Sequence, residues 1–334
     1  MKAVVLAAHG GAENFHDAEV PVPGVCAGEV RIRVEAAAFN PVDWQVRAGR
    51  PEGRRARSMI LGRDLSGTID AVHESVTGLA PGDAVFCNVC NLGSSGTYAE
   101  YVCVPAELVA RKPASLTHVQ AAAVPVAGIT ASLALERAGA GSTTSLFIAG
   151  GAGGVGGFAI ALARQLGVQE LVTTAGSARS RAHLVARSAM DDDRIVDYRD
   201  PRMVERALEI NGGPFDIALD LVGGPMLSAC CALVAVDGHV ASVTEAPSRD
   251  DFETLFDRNA TFHPVGANAY ALTDERASWR RYRDLLGRLA RRFDSGVLAP
   301  PHVTDLGPMS ADVVRRAHAL LEGNAVQGKL AMTR

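Results

Sequence analysis

Gly151-Ala152-Gly153-Gly154-Val155-Gly156 has the spacing of a phosphate-binding turn, and its neighbours give that spacing meaning. Ser145 to Ala149 before it reads as a short buried strand. The apolar, Ala-rich stretch Phe158 to Leu166 after it reads as a helix. Glycines permit a tight turn and a close approach of backbone to phosphate oxygens. The helix N-terminus adds free N–H groups and the positive end of its dipole. The chemistry expected is the holding of a dinucleotide pyrophosphate, with Gly151, Gly153, Gly154, Val155 and Gly156 as binding residues. The alternative is a glycine-rich turn that only packs two elements.

The stretch Thr173-Thr174-Ala175-Gly176-Ser177-Ala178-Arg179-Ser180-Arg181 bears on the other end of such a cofactor. An acid about 20 residues past the glycine motif binds the ribose 2′-OH of NADH. None stands here. Ser177 can hydrogen-bond a 2′-phosphate, and Arg179 or Arg181 can pair with its charge. NADPH is therefore expected over NADH, unless these arginines are surface charges on a helix.

The elements around these residues follow two rhythms. Up to about residue 120, short strands alternate with Gly/Pro turns: Glu29–Glu35, Ser66–Val72, Asp83–Cys87 and Tyr98–Val104, with Pro81-Gly82-Asp83 as a turn. A compact, mostly antiparallel β domain is expected. From 121 to 260 strands alternate with helices. A long Ala/Leu helix over Ala121–Ala138, interrupted near Gly128, leads into the glycine-loop unit. The strands Glu170–Thr174, Arg194–Tyr198, Phe215–Asp220 and Gly238–Val243 follow, with helices Arg179–Ser188 and Met203–Ile210. This is the pattern of a doubly wound parallel sheet, and the fold class is α/β. Residues 261–334 carry helices over Ala277–Phe293 and Ser310–Leu321, a strand near His302-Val303, and a last strand over Gly328–Met332.

Composition narrows the partners. The chain has 334 residues, 48% hydrophobic and 21% charged, with net charge −4. No basic field argues for nucleic acid. No apolar run approaches the roughly 20 residues of a membrane span. The opening Met1–Leu6 is short for a secretory signal and reads as a first strand. Six cysteines in this length do not suggest a disulfide scaffold, so a reduced, cytoplasmic setting is expected.

Several segments together resemble one known family. They are Asn40-Pro41-Val42-Asp43, Leu61-Gly62-Arg63-Asp64-Leu65-Ser66-Gly67, Val76–Val85, Gly96-Thr97-Tyr98-Ala99-Glu100-Tyr101, Gly151–Gly156 and Gly328-Lys329. In this order they resemble the medium-chain dehydrogenase/reductase superfamily, on its zinc-independent quinone oxidoreductase (ζ-crystallin-like) branch. The resemblance implies a GroES-like catalytic domain over 1–120, a Rossmann dinucleotide-binding domain over 121–260, and a 261–334 segment returning to the first domain. It implies an active site in the interdomain cleft and a homodimer. It places Asn40 as the active-site amide, Thr130 near the nicotinamide-side phosphate, and Tyr198 beside the 2′-phosphate. Asp43 is taken with Asn40 as catalytic, orienting its neighbours, although a structural role explains it equally.

No metal is expected. In the zinc-dependent branch a Cys and a His stand where this chain has Asn40 and Arg63. A neutral amide is a poor zinc ligand, and a guanidinium is none. Cys87-x-x-Cys90 has metal-like spacing, but with Cys103 it makes three ligands where a closed structural site takes four. The expected function is NADPH-dependent hydride transfer to a quinone or other α,β-unsaturated carbonyl. One alternative is a dedicated biosynthetic enoyl or ketone reductase acting on an acyl thioester or other anionic substrate. Another is a non-enzymatic NADPH-binding module. One departure from the family matters here. The aromatic residue that often follows Arg-x-Gly is replaced by the basic run Arg50 to Arg57, including Arg54 and Arg55. That run either greets an anionic substrate or is a solvated loop. Trp44 either supplies apolar substrate surface or is core.

Overall fold

The computed structural model describes residues 1–50 and 57–334. In chain order it begins with β1 (Lys2–Leu6), β2 (Phe15–Glu19), β3 (Glu29–Phe39), α1 (Pro41–Arg47), β4 (Asp64–Val72), β5 (Ala84–Asn88), β6 (Tyr101–Pro105), β7 (Ala110–Arg111) and α2 (His118–Ala122). Next come α3 (Pro125–Ala138), β8 (Leu146–Ala149), α4 (Gly154–Gln165), β9 (Leu171–Ala175), α5 (Ala178–Ser188), β10 (Ile195–Asp197), α6 (Met203–Asn211), β11 (Phe215–Asp220), α7 (Pro225–Leu233), β12 (Val234–Ser242), α8 (Arg249–Asp257) and β13 (Thr261–Pro264). The chain closes with α9 (Arg276–Asp294), β14 (Val303–Pro308), α10 (Ala311–Glu322) and β15 (Lys329–Thr333). Two compact units result: Met1–Ile129 with Asn268–Arg334, and Thr130–Ala267. No helix among the described residues is long and apolar enough to cross a membrane.

The first unit is built on a sheet ordered β14-β15-β3-β4-β5-β7, with β6 also paired to β3. Its spine is β3. The first half, Glu29-Val30-Arg31-Ile32-Arg33-Val34, alternates half-buried and buried residues, as period-2 patterning requires. The strand then runs four residues past the expected Glu35. Ala36, Ala37 and Ala38 are all buried, and Ala36 and Ala38 pack with Ala122 and Ala123 at the end of α2 and with Ala331 of β15. The C-terminal helices follow helical spacing. Tyr282, Leu285, Leu286, Leu289 and Phe293 form the buried stripe of α9. Ser310 caps α10, accepting the Val313 N–H at 3.3 Å, and Val314, Ala317 and His318 face inward.

Two expected boundaries are corrected. The helix over 121–138 breaks before Pro125, not at Gly128. Proline has no N–H to give the preceding turn, and it turns Val124 away from helical geometry. It suits the first position of a new helix, which is where it sits in α3. Gly128 lies inside α3 for a packing reason. A β-carbon there would come 2.7 Å from Leu289 Cδ1. The strand expected from Tyr98 likewise starts later, at Tyr101.

The second unit is a six-stranded sheet ordered β10-β9-β8-β11-β12-β13, every pairing parallel. Numbered from the glycine-loop strand β8, that is the order 3-2-1-4-5-6 of a dinucleotide-binding sheet, whose switch point lies between strands 1 and 4. All four residues of β8 and all five of β9 are buried, as for central strands covered on both faces. The helices α7 and α8 and the strand β13 add to the elements anticipated above.

Candidate functional site

The glycine loop of the second unit divides its glycines by task. A β-carbon on Gly151 would lie 2.1 Å from Thr173 Oγ1. One on Gly156 would lie 2.3 Å from the Gly150 carbonyl oxygen and 2.5 Å from Gly151 Cα. Both positions are closed by packing. Gly153 differs: a β-carbon there meets only the Gly150 oxygen, at 3.5 Å, and its φ of −77° is ordinary. The chain's own packing does not require a glycine at this position. Gly153 is also the N-cap of α4 and has no side chain to take the first-turn N–H groups, which stay available to an acceptor. Gly154 and Val155 open that first turn. The loop is held by the Gly150 N–H donating to Thr174 Oγ1 at 2.9 Å and by the Gly153 N–H donating to the Gly150 carbonyl at 3.2 Å. This cradle fits a pyrophosphate.

At the end of β9, Ser177 caps α5, accepting the Ser180 N–H at 3.1 Å. Arg181 is committed to the fold. Its Nη1 donates to the Asp192 carboxylate at 2.9 Å, and its Nη2 to the Ile195 carbonyl at 2.7 Å. Arg179 is exposed and has no ion-pair partner among the described residues. Tyr198 is 52% exposed, and its ring lies over Gly176, where a β-carbon would fall 2.2 Å from Cε1. Asp197 is an acid near this surface, but Arg199 clasps it with three hydrogen bonds, two from the guanidinium at 3.0 and 2.7 Å and one from its backbone N–H at 2.9 Å, and holds its carboxyl down at about 2. Thr130 is a buried residue of α3.

Sequence reasoning did not single out Asp220, at the C-terminal end of β11. It is fully buried and accepts four hydrogen bonds: from the Val222 and Gly223 N–H groups and from the Ser242 and Thr244 hydroxyls, at 2.8–3.0 Å. It fixes the loop after the strand beside the switch point. An acid closing an apolar strand just before Val222-Gly223-Gly224 was the available signal.

In the first unit three strands converge on Asn40. Register places Ala38 of β3 opposite Asp64 of β4, and Phe39 opposite Leu330 of β15. Asp64 and Lys329 thereby reach the residue that follows β3. The Asn40 side chain donates from Nδ2 to Asp64 Oδ2 at 2.9 Å and accepts at Oδ1 from Lys329 Nζ at 2.5 Å. Its backbone N–H donates to Asp43 Oδ2 at 2.8 Å, closing the first turn of α1, which Pro41 starts. Asn40, Asp43, Asp64, Arg63 and Lys329 are all buried.

Burial dominates the electrostatics. It pushes the Asp43 carboxyl up to about 7, against the pull of Arg63 and the Asn40 N–H. It pushes Asp64 up to about 6, against Lys329 and Asn40, and pushes Lys329 down. A hollow beside this cluster is lined by Asp43, Val46, Arg57, Arg63, Val89 and Ser95, among others. Arg57 donates to the Leu92 carbonyl at 3.3 Å, and Arg50 stacks on Trp44 at 5.0 Å. Arg54 and Arg55 lie outside the described residues. The roles of Asp64 and Lys329 were missed, although both stand inside recognised segments, because only the strand registers bring them to Asn40.

Metal donors are a separate matter. Cys87 and Cys90 are buried thiols, the first raised well above its ordinary value and the second to about 12, both by burial. Cys103 is core in β6. Among the described residues no group of three or more His, Cys, Asp or Glu is placed to hold a metal ion.

Comparison with known proteins adds to this geometry. Residues 26–114 match the alcohol dehydrogenase GroES-like domain, and residues 191–332 match the family described as zinc-binding dehydrogenase. A chloroplast envelope quinone oxidoreductase homolog of Arabidopsis thaliana is 30% identical over 72% of this chain and 73% of its own. A chloroplastic NADPH-dependent alkenal/one oxidoreductase of the same plant is 28% identical over 99% of this chain and 78% of its own. A mycobacterial protein solved in complex with NADPH superposes with a TM-score of 0.85, at 25% identity over the whole of both chains.

Proposed function

This chain belongs to the medium-chain dehydrogenase/reductase superfamily, and from that premise we propose that it transfers a hydride from NADPH to a quinone or another α,β-unsaturated carbonyl. The observation that carries the proposal is the open face of Gly153 above the uncapped N-terminus of α4, in a sheet of strand order 3-2-1-4-5-6. The names of the two plant relatives, a quinone oxidoreductase homolog and an NADPH-dependent alkenal/one oxidoreductase, point the same way.

The cofactor supplies the hydride. The chain's residues bind it and prepare the acceptor. The Gly153–Gly156 turn and the first turn of α4 hold the pyrophosphate. Arg179 meets the 2′-phosphate, Tyr198 and Ser177 border it, and Thr130 serves the nicotinamide-side phosphate. Asp197, neutralised by Arg199, does not repel the phosphate. Hydride arriving at the β-carbon sends negative charge to the carbonyl oxygen. The Asn40 amide, with one N–H on Asp64, offers its other N–H to that oxygen. Asp43 holds the Asn40 backbone and so the start of α1.

The reaction proposed needs no zinc, although one matching family carries zinc in its name. The residues at the cluster do not fit that ion. The Asn40 amide is engaged at both ends, Lys329 and Arg63 bring two cations among two carboxylates, and among the described residues no three His, Cys, Asp or Glu side chains are grouped to hold a metal ion. We also propose a homodimer, which light scattering would test.

The decisive experiment is NADPH oxidation against a panel of quinones, enones and enoyl thioesters. Turnover is expected with quinones or enones and is expected to survive a chelator. Tight NADPH binding with no oxidation by any acceptor would overturn the proposal. Turnover confined to thioesters would replace its substrate class.

A further inference from the structure

We infer that Lys329 and Asp64 are positioning residues, which together fix the rotamer of Asn40 so that its second Nδ2 hydrogen is the one offered to the acceptor oxygen. The inference rests on Asn40 being the oxyanion donor proposed above.

A primary amide has two ends of nearly equal size, so shape alone does not decide which end points where. Charge decides it here. Lys329 Nζ can only donate, and it lies 2.5 Å from Asn40 Oδ1. The Asp64 carboxylate can only accept when ionised, and it lies 2.9 Å from Nδ2. Turning the amide over would put its oxygen against a carboxylate and its N–H groups against an ammonium. Each charged group is anchored independently of Asn40. Lys329 donates to the Phe39 carbonyl at 3.0 Å, and Asp64 accepts the Val126 N–H at 3.0 Å at the start of α3. The two sit 3.6 Å from each other, with 6% and 0% side-chain exposure, so water does not screen the pair. One N–H of the amide is spent on Asp64. The planar geometry of Nδ2 then fixes the direction of the other. Lysine on the oxygen also draws electron density from the amide and makes that remaining N–H a better donor.

A plain structural staple between β15, β3 and β4 would explain the same ion pair, so the test must separate stability from aim. Four variants serve: Asn40→Ala, Lys329→Met, Asp64→Asn, and the neutral pair Asp64→Asn with Lys329→Met. For each, the melting temperature, NADPH affinity, kcat, KM and the isotope effect with hydride-position deuterated NADPH are measured. Misaiming a donor by about an ångström costs about 100-fold in rate. The Lys329 and Asp64 variants are therefore expected to lose about 10- to 100-fold in kcat, with NADPH affinity changed less than about twofold and the isotope effect enlarged as hydride transfer slows. Lys329→Met strands the Asp64 carboxylate. If it fails to fold, the neutral pair carries the test, because it leaves no unpaired charge.

A neutral pair with wild-type kcat and isotope effect, alongside a disabled Asn40→Ala, would overturn the positioning role and leave Asn40 standing. Wild-type kcat in Asn40→Ala would overturn the reading of Asn40 itself, and the positioning role with it.

Discussion

The Nε2 of His318 lies 3.1 Å from the hydroxyl of Tyr98, and both residues are fully buried. The two stand 220 residues apart in sequence, on α10 and just before β6. Phe15 and Phe39 pack edge-on against the imidazole, with ring centroids 4.8 and 6.3 Å away. The site suits a neutral ring. Burial, helped by Arg47, pushes the His318 imidazole down to about 3 from its ordinary 6.5.

The direction of the resulting pH dependence follows from which state binds the proton. In the unfolded chain His318 protonates near 6.5, whereas in the fold it resists down to about 3. Its contribution is therefore complete above pH 6.5 and is lost as pH falls toward 3, up to about 4–5 kcal/mol. His318→Gln keeps an acceptor for Tyr98 and does not titrate. Urea melts from pH 7 down to about pH 4 should show a flatter acid limb for the variant. Parallel acid limbs would refute the assignment.

Asp43 works in the opposite sense. Its folded value of about 7 exceeds its ordinary 3.8, so the fold holds the proton more tightly than the unfolded chain does. The contribution is complete below about 4 and is lost as pH rises through 7. Asp43→Asn keeps an oxygen for the Asn40 N–H and removes the titration. Relative to wild type, the variant should gain stability between pH 5 and pH 8, by about 2–4 kcal/mol. The comparison is made at both values because the lost charge also faces Arg63. A wild-type-to-variant difference that stays constant across that window would count against this.

Gly153 and Gly156 should fail differently. Gly153→Val places its β-carbon where only the Gly150 oxygen is near, so the fold is expected to persist while NADPH affinity collapses. Gly156→Val drives a side chain into the Gly150 and Gly151 backbone and should cost at least about 1–3 kcal/mol of stability as well. Calorimetric titration and thermal melts on both variants check the split. Unchanged NADPH affinity in Gly153→Val would remove the basis for the cradle.

Arg179 and Arg181 should also separate. Arg179→Ala removes an exposed cation without a described ion-pair partner. It should weaken NADPH by about 10- to 100-fold, the worth of one charged hydrogen bond, and leave NADH almost unmoved. Arg181→Ala cuts the ties to Asp192 and Ile195 and should lower the melting temperature more than it changes cofactor choice. Affinities for both nucleotides, measured for both variants, decide it. Equal loss of NADPH and NADH in Arg179→Ala would argue against the 2′-phosphate role.

The sequence by itself determined the elements whose periodicity is local. The run Leu146–Ala149 with its glycine turn, the strand Phe215–Asp220, and the apolar stripe of α9 are all legible because neighbours along the chain set their pattern. The α/β class and the family followed from such pieces in order. A local rule also explains the helix break, for proline at 125 outweighs glycine at 128.

What only the tertiary structure decided is which polar groups meet. Nothing local places Lys329 on Asn40, 289 residues away, or spends Arg181 on Asp192 while leaving Arg179 exposed. These depend on strand register and on the directions in which helices deliver side chains, both fixed by the packing of the whole sheet. Burial then sets the charge states. The same aspartate letter stands near 7 at Asp43 and near 2 at Asp197, because one lost its water and the other gained an arginine.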